Sequence, residues 1–313
     1  MRNAVTAVAC ESAVVPAAET LRTTAAVRLA DYVLLTKPRI SLLVLLTVSA
    51  GFALGSADGW RPLLLAHALF GIALVATASS AFNQWLERDS DALMQRTSNR
   101  PLPSGRLSPA EVFSFGLVTG TCGAAWLAVF VDATTAVLSA VTLILYVGVY
   151  TPLKRRTSFG TAVGAIPGAM PPVLGWAAAG APLDVAAFSL FAVLFLWQFP
   201  HFLAIAWIYR DQYSRAGLKM LPARGQTPRV TGLMAVGYAV VLVPLSLFPA
   251  ACGLAGTTYL VVALALSIAY LAAAVRFAAQ ESLRTARGLL WTSLVYLPVL
   301  LVTLVWDHFS LLS

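Results

Sequence analysis

The sequence predicts an all-α polytopic membrane protein of nine transmembrane helices, and three observations carry that prediction. Of its 313 residues 59% are hydrophobic and only 11% charged, too little polar surface to cover a water-soluble globule of this size. Nine apolar segments approach the roughly 20 residues a helix needs to cross a bilayer. The basic residues collect in alternate connections, the signature of a membrane protein whose positive loops face the cytoplasm.

Residues 1 to 35 are rich in Ala, Thr and Val and poor in charge, and read as a mobile cytoplasmic tail ahead of one membrane domain over 36–313. The spans begin near Ile40, Leu63, Ala110, Thr134, Ser158, Val185, Val230, Gly256 and Gly288. Connections holding Asp58, Asp132, Ala181 and Cys252 are short and nearly free of basic residues. Arg88 to Arg106, Lys154 to Arg156, Arg210 to Arg229 and Arg276 to Arg287 occupy the others, and Arg61 alone lies opposite. These loops and the tail therefore face the cytoplasm, Trp306, Asp307 and His308 lie on the far side, and the number of spans is odd. The net charge of +8 expresses topology rather than affinity for nucleic acid. Glu11 and Glu19, with no cleavage site after an apolar core, make the tail a poor transit peptide, which favours a bacterial plasma membrane over a mitochondrial one. Cys10, Cys122 and Cys252 stand singly, without the spacing of a zinc site or a disulfide framework.

The second span runs into Asn83-Gln84-Trp85-Leu86-Glu87-Arg88-Asp89-Ser90-Asp91. Steps of four keep Asn83, Glu87 and Asp91 on one helix face. Magnesium takes hard oxygen ligands, usually one or two carboxylates plus substrate phosphates, so this stripe suits a metal-bound diphosphate. Arg96 and Arg100 come soon after, and a guanidinium binds phosphate bidentately. A solvated helix end would explain the arginines. It would not explain three acids in a loop that topology wants positive, nor an Asn at the apolar end of the stripe.

A second cluster on the same side runs from Trp207 through Tyr209, Arg210, Asp211 and Tyr213 to Lys219. Asp211 is a candidate ligand for a second magnesium, and Arg210 and Lys219 for phosphate oxygens. Tyr209 and Tyr213 suit either a substrate contact or an interfacial aromatic belt. His201, inside an apolar span behind Pro200, is either functional or bonded to a neighbouring helix. Tyr150 and Lys154 stand at a third basic patch, which serves topology and offers phosphate a further cation. Phe82, Trp85, Trp176 and Trp197 line a cavity or simply pack. The polar loops after spans two and six hint at an internal repeat, and a repeat would also suit a transporter. Transporters, however, place their charges near the bilayer midplane, whereas these acids gather at one interface.

Taken together, these residues resemble the UbiA superfamily of intramembrane prenyltransferases, marked by Asn-x-x-x-Asp/Glu-x-x-x-Asp after the second of nine helices. Within it the chain is similar to the protoheme IX farnesyltransferases through Met94, Arg96-Thr97, Asn99-Arg100-Pro101-Leu102 with Gly105, and Tyr150-Thr151-Pro152-Leu153-Lys154-Arg155. Gly164-Ala165, Pro171-Pro172, Gly175-Trp176, Pro200-His201-Phe202 and Ala206-Trp207 extend the likeness, which runs from Asp31 to Trp306. The resemblance implies nine helices around a central cavity open on the cytoplasmic side. It implies farnesyl diphosphate and haem b as substrates, haem being the acceptor and not a cofactor, and haem O as a product destined for haem-copper oxidases. Mg2+ would sit on Asn83, Glu87 and Asp91 with Asp211 opposite. Arg96, Arg100, Lys154, Tyr150, His201, Tyr209, Arg210, Tyr213 and Lys219 would contact substrates, and haem A synthase or oxidase assembly proteins would be neighbours. An alternative within the superfamily, prenylation of a hydroxybenzoate or quinone precursor, shares the first motif. One departure stands out: members commonly carry Asp directly before the Tyr of the second motif, where this chain has Gln212 before Tyr213.

Overall fold

The structure, a computed structural model, describes residues 17–56, 59–154, 156–157, 159–218 and 229–312. Among these there is no strand. The order is α1 (Ala17–Leu35), α2 (Pro38–Gly55), α3 (Pro62–Ala92), α4 (Pro109–Phe130) and α5 (Ala133–Ile144), which continues through a π-helical turn (Leu145–Tyr150) into α6 (Thr151–Leu153). Next come α7 (Gly160–Ala178), α8 (Val185–Ile208), the short α9 (Arg210–Arg215), α10 (Val230–Ala251), α11 (Thr257–Ala279) and α12 (Leu283–Leu312).

Eight helices among the described residues are long and apolar enough to cross a membrane. The remaining expected span is α7, a helix of 19 residues interrupted by Pro167, Pro171 and Pro172. Proline removes a backbone donor and would break a solvated helix. Inside a bundle, neighbouring helices satisfy the freed groups, and α7 packs against α2, α5 and α8. Its contact with α2 is a backbone seam. A Cβ built on Gly51 would stand 1.9 Å from the Pro172 carbonyl oxygen, and one on Gly175 would stand 1.9 Å from that of Val48. Small residues let membrane helices approach this closely, where dispersion rather than water expulsion holds them together.

Other neighbours are close in the chain: α3 pairs with α4, α10 with α11, and α8 lies against α7, α10 and α12. Leu190, Val193, Leu242, Tyr259, Tyr270, Phe277 and Tyr296 fill the largest core cluster, while Leu43, Val129, Val241 and Val302 point outward, as lipid-facing side chains do. Asp132 and Asp184, in two of the sparsely charged connections, and Asp307, within α12, cap helices. Asp132 accepts from the Thr135 amide at 2.8 Å and Asp184 from the Ala186 amide at 3.0 Å. Asp307 receives the amides of Gly256 at 2.6 Å and Tyr259 at 3.1 Å. Each satisfies orphan donors at a helix N-terminus. Arg61, the cation expected on the far side, donates to the Ala179 carbonyl at the end of α7.

The stretch expected as a tail over residues 1 to 35 is described only in its second part. Residues 17–35 form α1, whose last turns are tied down from a distance. Asp31 pairs with Arg106 at 2.8 Å, Arg28 with Glu111, the Tyr32 ring packs on Phe115 and Leu35 is fully buried. Residues 1–16 lie outside the described part.

Candidate active site

Asn83, Glu87 and Asp91 share one face in the last turns of α3, and all three are buried. Buried carboxylates need compensating charge, and each acid has it. Lys154 Nζ lies 2.7 Å from Glu87 Oε1, and Arg100 Nη1 lies 2.5 Å from Asp91 Oδ2. Asn83 is oriented from both sides: Oδ1 accepts from Lys37 Nζ at 3.0 Å, and Nδ2 donates to Thr151 Oγ1 at 3.4 Å. Thr97 Oγ1 donates to the Asp91 carbonyl at 2.8 Å, folding the arginine loop back under the helix end.

The π-helical turn brings the third motif to this face. π-Bulges often mark functional sites, because the extra residue re-aims the side chains after it. Here Thr151 Oγ1 bonds the Tyr146 carbonyl at 2.8 Å, the Tyr146 and Tyr150 rings lie 5.4 Å apart, and Lys154 Nζ sits 4.8 Å from the Tyr150 centroid. Burial opposes the charged form of Lys154. The neighbouring Tyr150 and Glu87 outweigh it and hold the lysine above its usual range, so Lys154 is a permanent cation.

Sequence reasoning missed Lys37. It is one of only three lysines in the chain, and Asn83 receives its ammonium. Its backbone is left-handed, with φ 49°, a conformation that costs a residue bearing Cβ roughly 1–3 kcal/mol and tends to cluster at functional sites. Burial, and then the charge of Arg100, lower its pKa to about 7. A lysine directly before Pro38 at the mouth of the first span is the signal that could have found it.

Other expected residues are distributed less simply. Arg96, on the exposed side of its loop, donates to Tyr213 Oη at 3.1 Å and stacks over Tyr209 and Tyr213, joining the second cluster to the first. Tyr213 is buried with Met94, Ala206 and Leu218. Arg210, expected on phosphate, folds back over the Trp207 ring at 4.1 Å and donates to the Trp207 carbonyl. Asp211, expected opposite the first motif, faces outward, because α9 turns Tyr213 inward and a residue two positions earlier lies about 200° around the helix. Gln212 has a buried Oε1 without a hydrogen-bond partner, so the polar atom short of a ligand in this motif belongs to it. Lys219 lies outside the described residues. Of the aromatic candidates, Phe82 and Trp85 pack on Phe113, and Trp176 donates to the Pro182 carbonyl.

No three His, Cys, Asp or Glu side chains converge on a metal position among the described residues. The donor set is instead two carboxylates and an amide oxygen, with Lys37, Arg100 and Lys154 around them. That set suits a hard cation whose remaining ligands come from an anionic substrate.

The model of the UbiA prenyltransferase family matches residues 44–309. The chain belongs to that family. Among curated relatives of this prenyltransferase, a protoheme IX farnesyltransferase of Solibacter usitatus is 46% identical over 279 residues, covering 86% of this chain and 96% of that protein. One from Aquifex aeolicus is 38% identical, covering 88% and 94%. Among solved structures, a digeranylgeranylglyceryl phosphate synthase superposes with a TM-score of 0.76 at 16% identity, covering 90% of this chain and 99% of that one. A UbiA homolog from Archaeoglobus fulgidus bound to DMAPP and Mg2+ gives 0.67 at 19% identity, covering 90% and 98%. At such identities the structural likeness speaks for the fold of the prenyltransferase.

Proposed function

We propose that this prenyltransferase transfers the farnesyl group of farnesyl diphosphate to a vinyl group of haem b, with uptake of water, giving haem O and diphosphate. The observation that carries the reading is the buried Asn83, Glu87 and Asp91 face ringed by Lys37, Arg100 and Lys154, in a chain whose curated relatives are named protoheme IX farnesyltransferase.

Asn83, Glu87 and Asp91 are the residues that would hold magnesium. Bound there, the ion would supply Lewis-acid stabilisation of the leaving diphosphate. Arg100 and Lys154 provide fixed positive charge, and Lys37 adds its own below about pH 7, where the phosphate oxygens gather negative charge as the C–O bond to the allylic carbon breaks; such preorganisation is usually the largest catalytic contribution. The vinyl π electrons close on that carbon. Positive charge passes to the vinyl carbon beside the porphyrin, where water adds and gives up a proton. An apolar interior keeps water from the allylic cation until then. Arg96, Tyr150, Tyr209 and Tyr213 belong to the proposal as contacts around the diphosphate. The proposal also includes α7 as the fifth of nine spans, a cavity opening toward the cytoplasm, and a bacterial plasma membrane as the setting.

The test is an incubation of purified protein with radiolabelled farnesyl diphosphate, magnesium and either haem b or hydroxybenzoate. Label in the porphyrin fraction is expected. Label in the hydroxybenzoate alone would replace haem with a quinone precursor as acceptor, and label in neither would overturn the reading.

A further inference from the structure

His201 stands on α8, one residue after Pro200, and its two ring nitrogens are not equivalent. Nδ1 lies 2.7 Å from Ser293 Oγ on α12. That hydroxyl has a single proton, which it gives to the Leu290 carbonyl at 2.6 Å. With the serine proton on that carbonyl, the serine oxygen accepts from His201 and Nδ1 carries the ring proton, and this is the tautomer the proposal uses. Nε2 is left with a bare lone pair, and no side chain or backbone group among the described residues donates to it.

The ring itself is held. It stacks on Trp197 at 5.0 Å and 23°, and Trp197 is pinned in turn. Its Nε1 donates to the Ser293 carbonyl at 2.9 Å, and its carbonyl accepts from Tyr270 Oη at 3.1 Å. His201 is half-buried and its Nε2 is not among the buried unpartnered atoms, so this nitrogen is open to a ligand rather than sealed in the bundle. Here one nitrogen is anchored with care and the other is presented unbonded. That is the arrangement of a metal-ligating imidazole, in which a hydrogen bond on the far nitrogen fixes the tautomer and raises basicity.

We propose that His201 Nε2 is the axial ligand of the iron in a metalloporphyrin substrate, with Ser293 as its positioning residue. This rests on the haem reading of the proposed function and adds the point of attachment. One axial bond fixes the depth and tilt of the porphyrin and leaves it free to turn about that bond. Choice between its vinyl groups then falls to contacts at the rim.

The experiment uses the full chain in lipid nanodiscs, loaded with haem b and reduced, and reads the iron–histidine stretching band by resonance Raman spectroscopy. The wild type is expected to show the band, His201→Ala to lose it, and added imidazole to restore it, which also shows that the variant is folded. Ser293→Ala should keep the band at lower frequency and weaken haem binding about ten- to a hundredfold. Metal-free protoporphyrin should bind the wild type at least about tenfold more weakly than haem, the equivalent of about 1.4 kcal/mol. A band unaltered in His201→Ala, or equal binding of the metal-free ring, overturns the ligand assignment. If labelled haem O is still produced, the proposed function stands without it. Failure of the wild type to bind haem at all overturns both.

Discussion

The ammonium of Lys154 and the carboxylate of Glu87 form a buried ion pair at 2.7 Å, their side chains only 13% and 9% exposed. Removing one partner of such a pair strands the other charge, at a cost of about 3–5 kcal/mol, whereas replacing both can be nearly neutral. Lys154→Met should therefore lower thermal stability in detergent and abolish haem O formation. Adding Glu87→Gln should recover most of the stability and none of the activity. Recovery of both would make the pair a structural strut outside the chemistry.

The position of α9 sets a second contrast. Asp211→Asn, on the exposed face, should leave turnover and magnesium requirement within about twofold, since surface substitutions away from special features change little. Gln212→Asp puts an anionic oxygen where a buried amide oxygen lacks a partner, and should lower the magnesium concentration needed for half-maximal haem O production. A sharp loss in Asp211→Asn would return the second-ligand role to that residue.

Lys37 makes a prediction about pH. Its folded pKa of about 7 lies below the ordinary lysine value, so between those two pH values the unfolded chain binds more protons and stability rises with pH. Lys37→Met should accordingly be more stable than the wild type near pH 7, with the difference shrinking toward pH 10. Ligand binding runs the other way. A non-hydrolysable farnesyl diphosphate analogue should bind the wild type more weakly as pH rises above about 7, and Lys37→Arg should flatten that slope. A wild-type slope retained in Lys37→Arg would assign the titration to another group.

Topology can be read chemically. With the native cysteines replaced, single cysteines at Ser104 and Ser214 should react with an impermeant maleimide from the cytoplasmic side, and one at Ser310 from the opposite side. Labelling of Ser310 from the cytoplasm would make the number of spans even and remove α7 from the count.

Much of the site is legible in the sequence because helical spacing alone aligns Asn83, Glu87 and Asp91, and because alternating charge orders the loops. The illegible part depends on contacts between distant segments. Lys37 reaches Asn83 across α2 and α3, and the π-helical turn that delivers Lys154 has no periodic signature. The outward orientation of Asp211 is not legible because α9 has six residues, too few for an apolar stripe to show which way it faces. The helix at residues 17–35 reads as a tail because its anchoring partners, Arg106 and Glu111, come much later in the chain. Three prolines in α7 lower its apolar character without breaking it.

The glycine seam between α2 and α7 has a consequence for biosynthesis. The first hairpin, α3 with α4, can assemble as soon as both helices have left the translocon. By contrast, α2 enters the bilayer long before the partner that fits its Gly51 surface has been translated. Until α7 arrives, α2 waits with this close contact unmade. A ribosome that stalls before residue 160 leaves an orphan helix with a flat, small-residue face, which is the kind of surface membrane quality-control proteases can detect.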